Sequence, residues 1–294
     1  MLVTRGDTST KPRKGLRRVL WPFVRFGQTA RDVAREHVAY RTQIFQLARA
    51  DLVKTYRGSA LGWFWAPIKP AVTIFVFWFA FAIALRSGGP VNDMPFFLWL
   101  IAGIVPWFYM SEMFTQGAAT LNSYSYLVNK IRFPVSTIPT FVSISKLFVH
   151  AILMVLVVII FAIWGYPPDI YLLQLPFYTG LMFVFWTLWS LFASPLAAVS
   201  KDFANVVKSF VSALFWLSGV LWDVNAIHIT WLKRALVFNP VTFFANGYRN
   251  VFIYKQWFWE DAFHLFAFGF VLLVTFCLAI FTYGRLRKEI ADVL

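Results

Sequence analysis

The sequence predicts an all-α polytopic membrane protein: six transmembrane helices, an amphipathic interfacial helix ahead of them, and two short re-entrant helices at the outer face. Three observations carry this. Of the 294 residues 60% are hydrophobic and only 14% charged, with a mean hydropathy of +0.65, an excess of apolar surface that no water-soluble core of this size can bury. The apolar residues gather in stretches of about 18 or more, the length at which a helix rising about 1.5 Å per residue crosses about 30 Å of hydrocarbon. Lys and Arg are segregated by segment rather than scattered. A β-barrel would instead alternate polar and apolar residues in segments of roughly ten, a pattern not seen here.

Residues 1–30 are basic, low in apolar content and interrupted by Pro12, Gly15 and Pro22, so they are expected to be flexible or to lie on headgroups. Residues 31–57 lack Gly and Pro, and Phe45, Ala48, Leu52 and Tyr56 recur at helical spacing opposite Gln43, Gln46, Arg49 and Val53, which predicts an interfacial helix. The transmembrane domain occupies residues 58–294. Its spans are expected at 63–85 and 96–118, separated by the turn Ser87, Gly88, Gly89, Pro90, and then at 141–164, 170–192, 206–222 and 262–283. Residues 223–260 are apolar and aromatic but broken by Asn225, Lys233, Arg234, Asn239, Pro240 and Gly247. Two short re-entrant helices fit this stretch, because non-helical backbone at membrane depth needs protein or a watery cavity to cover it.

Charge sets the orientation. Thirteen of the 27 Lys and Arg precede residue 60. With the N-terminus inside, the inner segments hold 20 and the outer ones five, namely Arg86, Lys233, Arg234, Arg249 and Lys255, which predicts both termini in the cytoplasm. The net charge of +14 therefore belongs to a membrane-surface segment and not to a nucleic-acid site. The single cysteine, Cys277, excludes a disulfide framework and a Cys-based metal site. The basic start precedes the first apolar run by about sixty residues, too far for a cleavable secretory signal.

No G-x-x-x-x-G-K-[ST] occurs, so no cofactor is expected on this chain and any ATP must be hydrolysed by another subunit. His37, His150, His228 and His264 are scattered and no H-E-x-x-H is present, which argues against a metal or nucleophilic site. A membrane glycosyltransferase or acyltransferase would need an acid or His at the membrane surface, and Asp51, Asp202 and Asp223 are isolated. A secondary transporter would show internal repeats, and no repeat period is evident. Charges inside spans are costly and usually paired. Lys69, Glu112 and Lys146 fall at similar depth, about two turns in from the cytoplasmic side, so Glu112 is expected to pair with Lys146 or Lys69, the alternative being lysines that snorkel separately. Near the outer face, Arg86, Lys233, Arg234 and Arg249 would receive a phosphate-bearing substrate or anionic headgroups.

The run Arg57, Gly58, Ser59, Ala60, Leu61, Gly62, followed by Trp65 and Pro70, resembles the start of the first span in type-2 ABC transporter permeases that export cell-surface polysaccharides. Met94, Pro95, Phe96 and Phe97 with Gly103, Pro106, Trp107 and Phe108, the loop VNKIRFP from Val128 to Pro134, and Asn239 with Pro240 are similar to that family in order and spacing. The stretch from Arg86 to Trp107 looks most like wall teichoic acid export permeases, with O-antigen and capsule permeases next. Lys69 departs from the family, which commonly has a neutral polar residue there.

The resemblance implies the type-2 ABC exporter fold, a homodimer in the bacterial cytoplasmic membrane, and two copies of a separate ATPase that holds ATP and Mg. The cargo it implies is a polymer on a lipid pyrophosphate carrier. It also implies a coupling helix over about residues 123–134 that meets the ATPase through Tyr126, Lys130, Ile131, Arg132, Phe133 and Pro134. Arg49, Tyr56, Arg57, Gly58, Trp63 and Trp65 would form the interfacial helix and gate entrance, and the re-entrant helices would cap the pathway. Lys130 and Arg132 flanking Ile131 and Phe133 suit an element that inserts apolar residues while its charges face water.

Overall fold

The structure, a computed structural model, describes residues 14–130 and 133–293. Within them the chain is almost wholly helical, apart from turns and one isolated bridge between Val91 and Met94. Two helices lead in, α1 (Lys14–Ala39) and α2 (Arg41–Tyr56). This corrects two expectations: helix begins at Lys14, inside the stretch read as flexible, and the helix expected over 31–57 is interrupted at Tyr40 (φ −104°, ψ 16°). Tertiary burial is the reason. Phe26 of α1 meets Phe276 edge-on at 6.1 Å, and Asp32 pairs with Arg287 at 3.6 Å. Ile44, Ala48 and Leu52, the i, i+4, i+8 stripe of α2, are buried, Ile44 and Ala48 in one cluster with Leu121, Tyr124, Phe141 and Val142. The stripe therefore rests on protein, and Phe45, expected within it, points outward at 61% exposure.

The chain then forms α3 (Trp65–Trp78), entered through a 3-10 turn at Gly62–Phe64 and continued by a π-helical turn at Phe79–Ala84, and α4 (Phe96–Ala118). Short helices α5 (Thr120–Ser123) and α6 (Ser125–Lys130) connect to α7 (Ile138–Ile163), which is followed by α8 (Leu175–Val199) and α9 (Lys201–Leu217). Two short helices, α10 (Thr230–Val237) and α11 (Pro240–Arg249), precede the long α12 (Ala262–Val293). Among the described residues five helical stretches are long and apolar enough to cross a membrane: 62–84, 96–118, 135–163, 170–199 and 262–287. The expected span at 206–222 is α9, 17 residues long and shifted toward the N-terminus. Its start is fixed by capping, since the Ser200 hydroxyl accepts the Phe203 N–H at 3.3 Å with Asp202 in the first turn.

α4 is the hub. Leu98, Leu100, Ala102, Ile104, Met110 and Met113 are all fully buried, so α4 is enclosed by its neighbours α3, α7, α8, α9 and α11. α3 and the π-helical turn after it, by contrast, leave Val72, Phe75, Val76 and Phe79 exposed. Apolar surface of that extent requires lipid or another protein against it. α1, α2, the α5–α6 connection and the end of α12 gather at one end of the bundle, here the terminal end; α10 and α11 lie toward the other, the far end.

Candidate functional site

A polar seam runs through the bundle along one face of α7, where Ser143, Lys146 and His150 lie at i, i+3 and i+7. Lys146 Nζ lies 3.2 Å from Glu112 Oε2, so of the two lysines considered Lys146 takes the carboxylate. Lys69 is exposed on α3 and makes no ion pair among the described residues. The Tyr109 and Ser143 hydroxyls share a hydrogen bond at 2.6 Å, and the Thr187 hydroxyl donates to Ser143 at 2.7 Å. The Tyr248 hydroxyl joins His150 Nε2 at 2.9 Å and Thr179 at 2.8 Å. The seam thus ties α4, α7, α8 and α11 together, with the Tyr109–Ser143 and His150–Tyr248 hydrogen bonds buried, where a low local dielectric strengthens them. The i, i+3, i+7 spacing on α7 was the sequence signal for it; the partners Tyr109, Thr179, Thr187 and Tyr248 carried none.

At the terminal end the connection from α4 to α7 is clamped onto α1 and α2. The Tyr124 hydroxyl donates to Asp51 Oδ1 and the Ser136 hydroxyl to Glu36. Burial, followed by the Asp51 carboxylate, pushes the Tyr124 hydroxyl above its ordinary range, so it stays a donor. The Tyr124 ring meets Phe141 edge-on at 4.9 Å, Lys54 sits 5.2 Å above it, and Phe133 meets Tyr40 at 5.7 Å. Of the residues expected to couple, Tyr126 is 45% exposed and Phe133 and Pro134 are half-buried. Lys130 closes α6, and Ile131 and Arg132 lie outside the described residues. Where α2 turns toward α3, Tyr56 and Trp63 are in ring contact at 5.3 Å, Gly58 takes a left-handed φ of 83°, Arg49 and Arg57 are exposed, and Trp65 is half-buried. Partial burial, then the nearby Glu112 carboxylate, raises the Tyr56 hydroxyl.

At the far end a cavity of about 630 Å³ opens between α8, α10, α11 and the start of α12. Lys233 and Arg234 supply positive charge, Asp261 a carboxylate 2.6 Å from His264, Asn246 and Asn250 amides, and Tyr178 and Phe258 aromatic walls. Such a mixture holds polyhydroxylated or phosphorylated groups by hydrogen bonds and ring stacking. Of the four cations expected to act together, Arg86 is exposed outside this cavity and Arg249 does not face it.

Arg249 requires correction: it is 1% exposed and works as an internal post. Its guanidinium donates to the Gly219 carbonyl at 2.8 Å and the Val220 carbonyl at 2.6 Å, and stacks 3.5 Å above the Trp99 ring. The position of Gly103 makes this possible, because a Cβ there would stand 2.3 Å from the Arg249 Nη2. Gly247 plays the same part for Tyr178, whose ring would lie 2.3 Å from an added Cβ. The planar fork of arginine thereby ties α11 to α4 and to the turn after α9.

The ABC-2 type transporter family matches residues 42–253, from α2 into the π-helical turn Asn250–Tyr254 that follows α11. The chain is also 24% identical over 261 residues to the O-antigen export system permease protein RfbA of Myxococcus xanthus, covering 88% of this chain and 98% of that protein. It is 24% identical over 252 residues to the O-antigen export system permease protein RfbA of Klebsiella pneumoniae, covering 84% of this chain and 93% of that one. With its membrane-spanning helices and a family match over most of its length, the chain belongs to the ABC-2 type transporter family.

Proposed function

We propose that this chain is the membrane-spanning subunit of an exporter that carries a lipid-linked, O-antigen-type polysaccharide from the cytoplasmic to the outer face of the bacterial cytoplasmic membrane. A separate ATPase, present in two copies with ATP and Mg, drives a homodimer of this chain. The observation that carries the reading is the near full-length likeness to permeases named for O-antigen export. It favours O-antigen over the wall teichoic acid cargo that the stretch from Arg86 to Trp107 resembles.

Several features support the rest. The excess of Lys and Arg in the segments at the terminal end favours a cytoplasmic position for that end. α3 and α9 meet internally, Phe77 against the buried Phe215 at 5.2 Å, and their exposed apolar residues Val72, Phe75 and Val76 on α3 and Phe210, Trp216 and Leu217 on α9 suit a dimer contact. α9 serves as the sixth crossing: 17 residues rise about 25 Å, and the following turn completes the distance. Headgroup and leading sugars enter beside Tyr56, Arg57 and Trp63 at the terminal end, and the far-end cavity with Lys233 and Arg234 receives them. The test is genetic. Deleting this chain in its host should strip long-chain polysaccharide from the cell surface while the lipid-linked polymer accumulates inside, and an unchanged surface polymer would refute the reading.

A further inference from the structure

A slot of about 540 Å³ opens sideways between α2 and α7. Ile144, Leu147, Phe148 and Ala151 of α7 form its long wall, closed by Phe45 of α2 and Phe183 of α8. The stretch from Ile144 to Ala151 covers about 10 Å of helix, roughly a third of the hydrocarbon thickness, next to the end where α7 begins its crossing. At the mouth stand His37 and Arg41. His37 is fixed, its ring nitrogens 2.7 Å from the Val33 carbonyl and 2.7 Å from the Thr140 hydroxyl.

The mouth continues along the exposed face of α2. An adjoining hollow shares Arg41 and Phe45 with the slot, and the next shares Gln46 and Arg49 with it and adds Lys54 and Arg57. Among the described residues no Asp or Glu lines any of the three. The acids of α1 and α2 are occupied on other faces: Asp32 by Arg287, Glu36 by Ser136 and Asp51 by Tyr124. Charge is therefore sorted, with cations outward along Arg41, Arg49 and Arg57 and a dry apolar slot beside them. An acidic protein surface would answer the cations and leave the slot, on a helix built to cross a membrane, unfilled. A lipid answers both.

We propose that α2 and α7 form a seat for an anionic phospholipid of the bilayer, its phosphate headgroup on Arg41 and Arg49 and one acyl chain in the slot beside Phe148. The seat fixes the height of α2 at the membrane surface, and with it the α4–α7 connection that α2 clamps through Asp51 and Tyr124.

The full-length chain, reconstituted in phosphatidylcholine vesicles, tests this with a trace of phosphatidylglycerol carrying a photoactivatable diazirine in its acyl chain. Mapping of the cross-linked peptides is expected to find the label on Phe45 and on Ile144 to Ala151. The paired exposed substitutions R41Q and R49Q are expected to lower that label about tenfold or more. Ala151→Trp, at an exposed position whose new side chain fills the slot, is expected to remove it. Equal labelling by a diazirine phosphatidylcholine would show an ordinary annular lipid and overturn the seat. So would labelling that R41Q/R49Q leaves unchanged. Loss of the phosphatidylglycerol label when the partner ATPase is added would identify a protein dock and also overturn it, whereas a label that persists supports the lipid.

Discussion

Lys146 of α7 and Glu112 of α4 meet at 3.2 Å, the lysine side chain 9% exposed and the carboxylate 44%. That asymmetry decides what each substitution does. Glu112→Gln strands a buried ammonium, and because the carboxylate is partly open the expected loss is about 1–3 kcal/mol, below the roughly 3–5 of a fully enclosed pair. Adding Lys146→Met removes the stranded charge and should recover most of the loss. Thermal unfolding of the purified variants in detergent checks this: the double variant should melt above Glu112→Gln alone.

Gly103→Ala drives a methyl group into the Arg249 guanidinium and should cost about 1–3 kcal/mol through overpacking. Arg249→Lys keeps the charge but cannot hold the Gly219 and Val220 carbonyls and the Trp99 face together, so it too should destabilise. Combined, the two changes should cost less than their sum, since the slimmer lysine leaves room for the methyl. A double-mutant cycle on melting temperature reads this out.

Tyr124→Phe deletes a hydrogen bond to a carboxylate, worth about 1.5–3 kcal/mol. The tyrosine is held above its unfolded range, so its contribution is full below about pH 10 and is lost only as pH rises further. The penalty should therefore be equal at about pH 6.5 and about pH 9, measured by denaturation of wild type and variant side by side.

Ile131→Asp together with Phe133→Asp should abolish substrate-stimulated ATP hydrolysis in a reconstituted complex. Phe133 packs on Tyr40 at 5.7 Å, so the single Phe133→Asp change should also loosen the connection from α2. Ile131→Asp alone should also lower ATPase stimulation.

Hydropathy located the long crossings because desolvation of the whole side-chain set decides them; α4 begins at Phe96 and ends at Ala118 as expected. It misplaced ends that caps decide. Ser200 starts α9 ahead of its apolar run, and α7 begins at Ile138, with Pro139 in its first turn, ahead of Phe141. α1 was misread because Pro22 and Gly15 argue locally against helix, while packing of Phe26 and Thr29 on α12 acts over a sequence distance that composition does not reveal. Arg249 was misread for a similar reason: an arginine in an outer segment resembles a surface cation. The one hint was Gly103, a helix-interior glycine that costs about 1 kcal/mol against alanine unless something needs its space. That Glu112 pairs with an intramembrane lysine is legible, because equal depth leaves the charges few other partners; the choice of Lys146 over Lys69 is not, since it depends on how α4 packs on α7.

The most direct measurement places the purified chain in vesicles with lipid-linked O-polysaccharide on one leaflet and follows its arrival on the other with a membrane-impermeant glycan-cleaving enzyme. Arrival only when the partner ATPase and hydrolysable ATP are both present is the predicted result. Arrival driven by an ion gradient across vesicles holding this chain alone would contradict it.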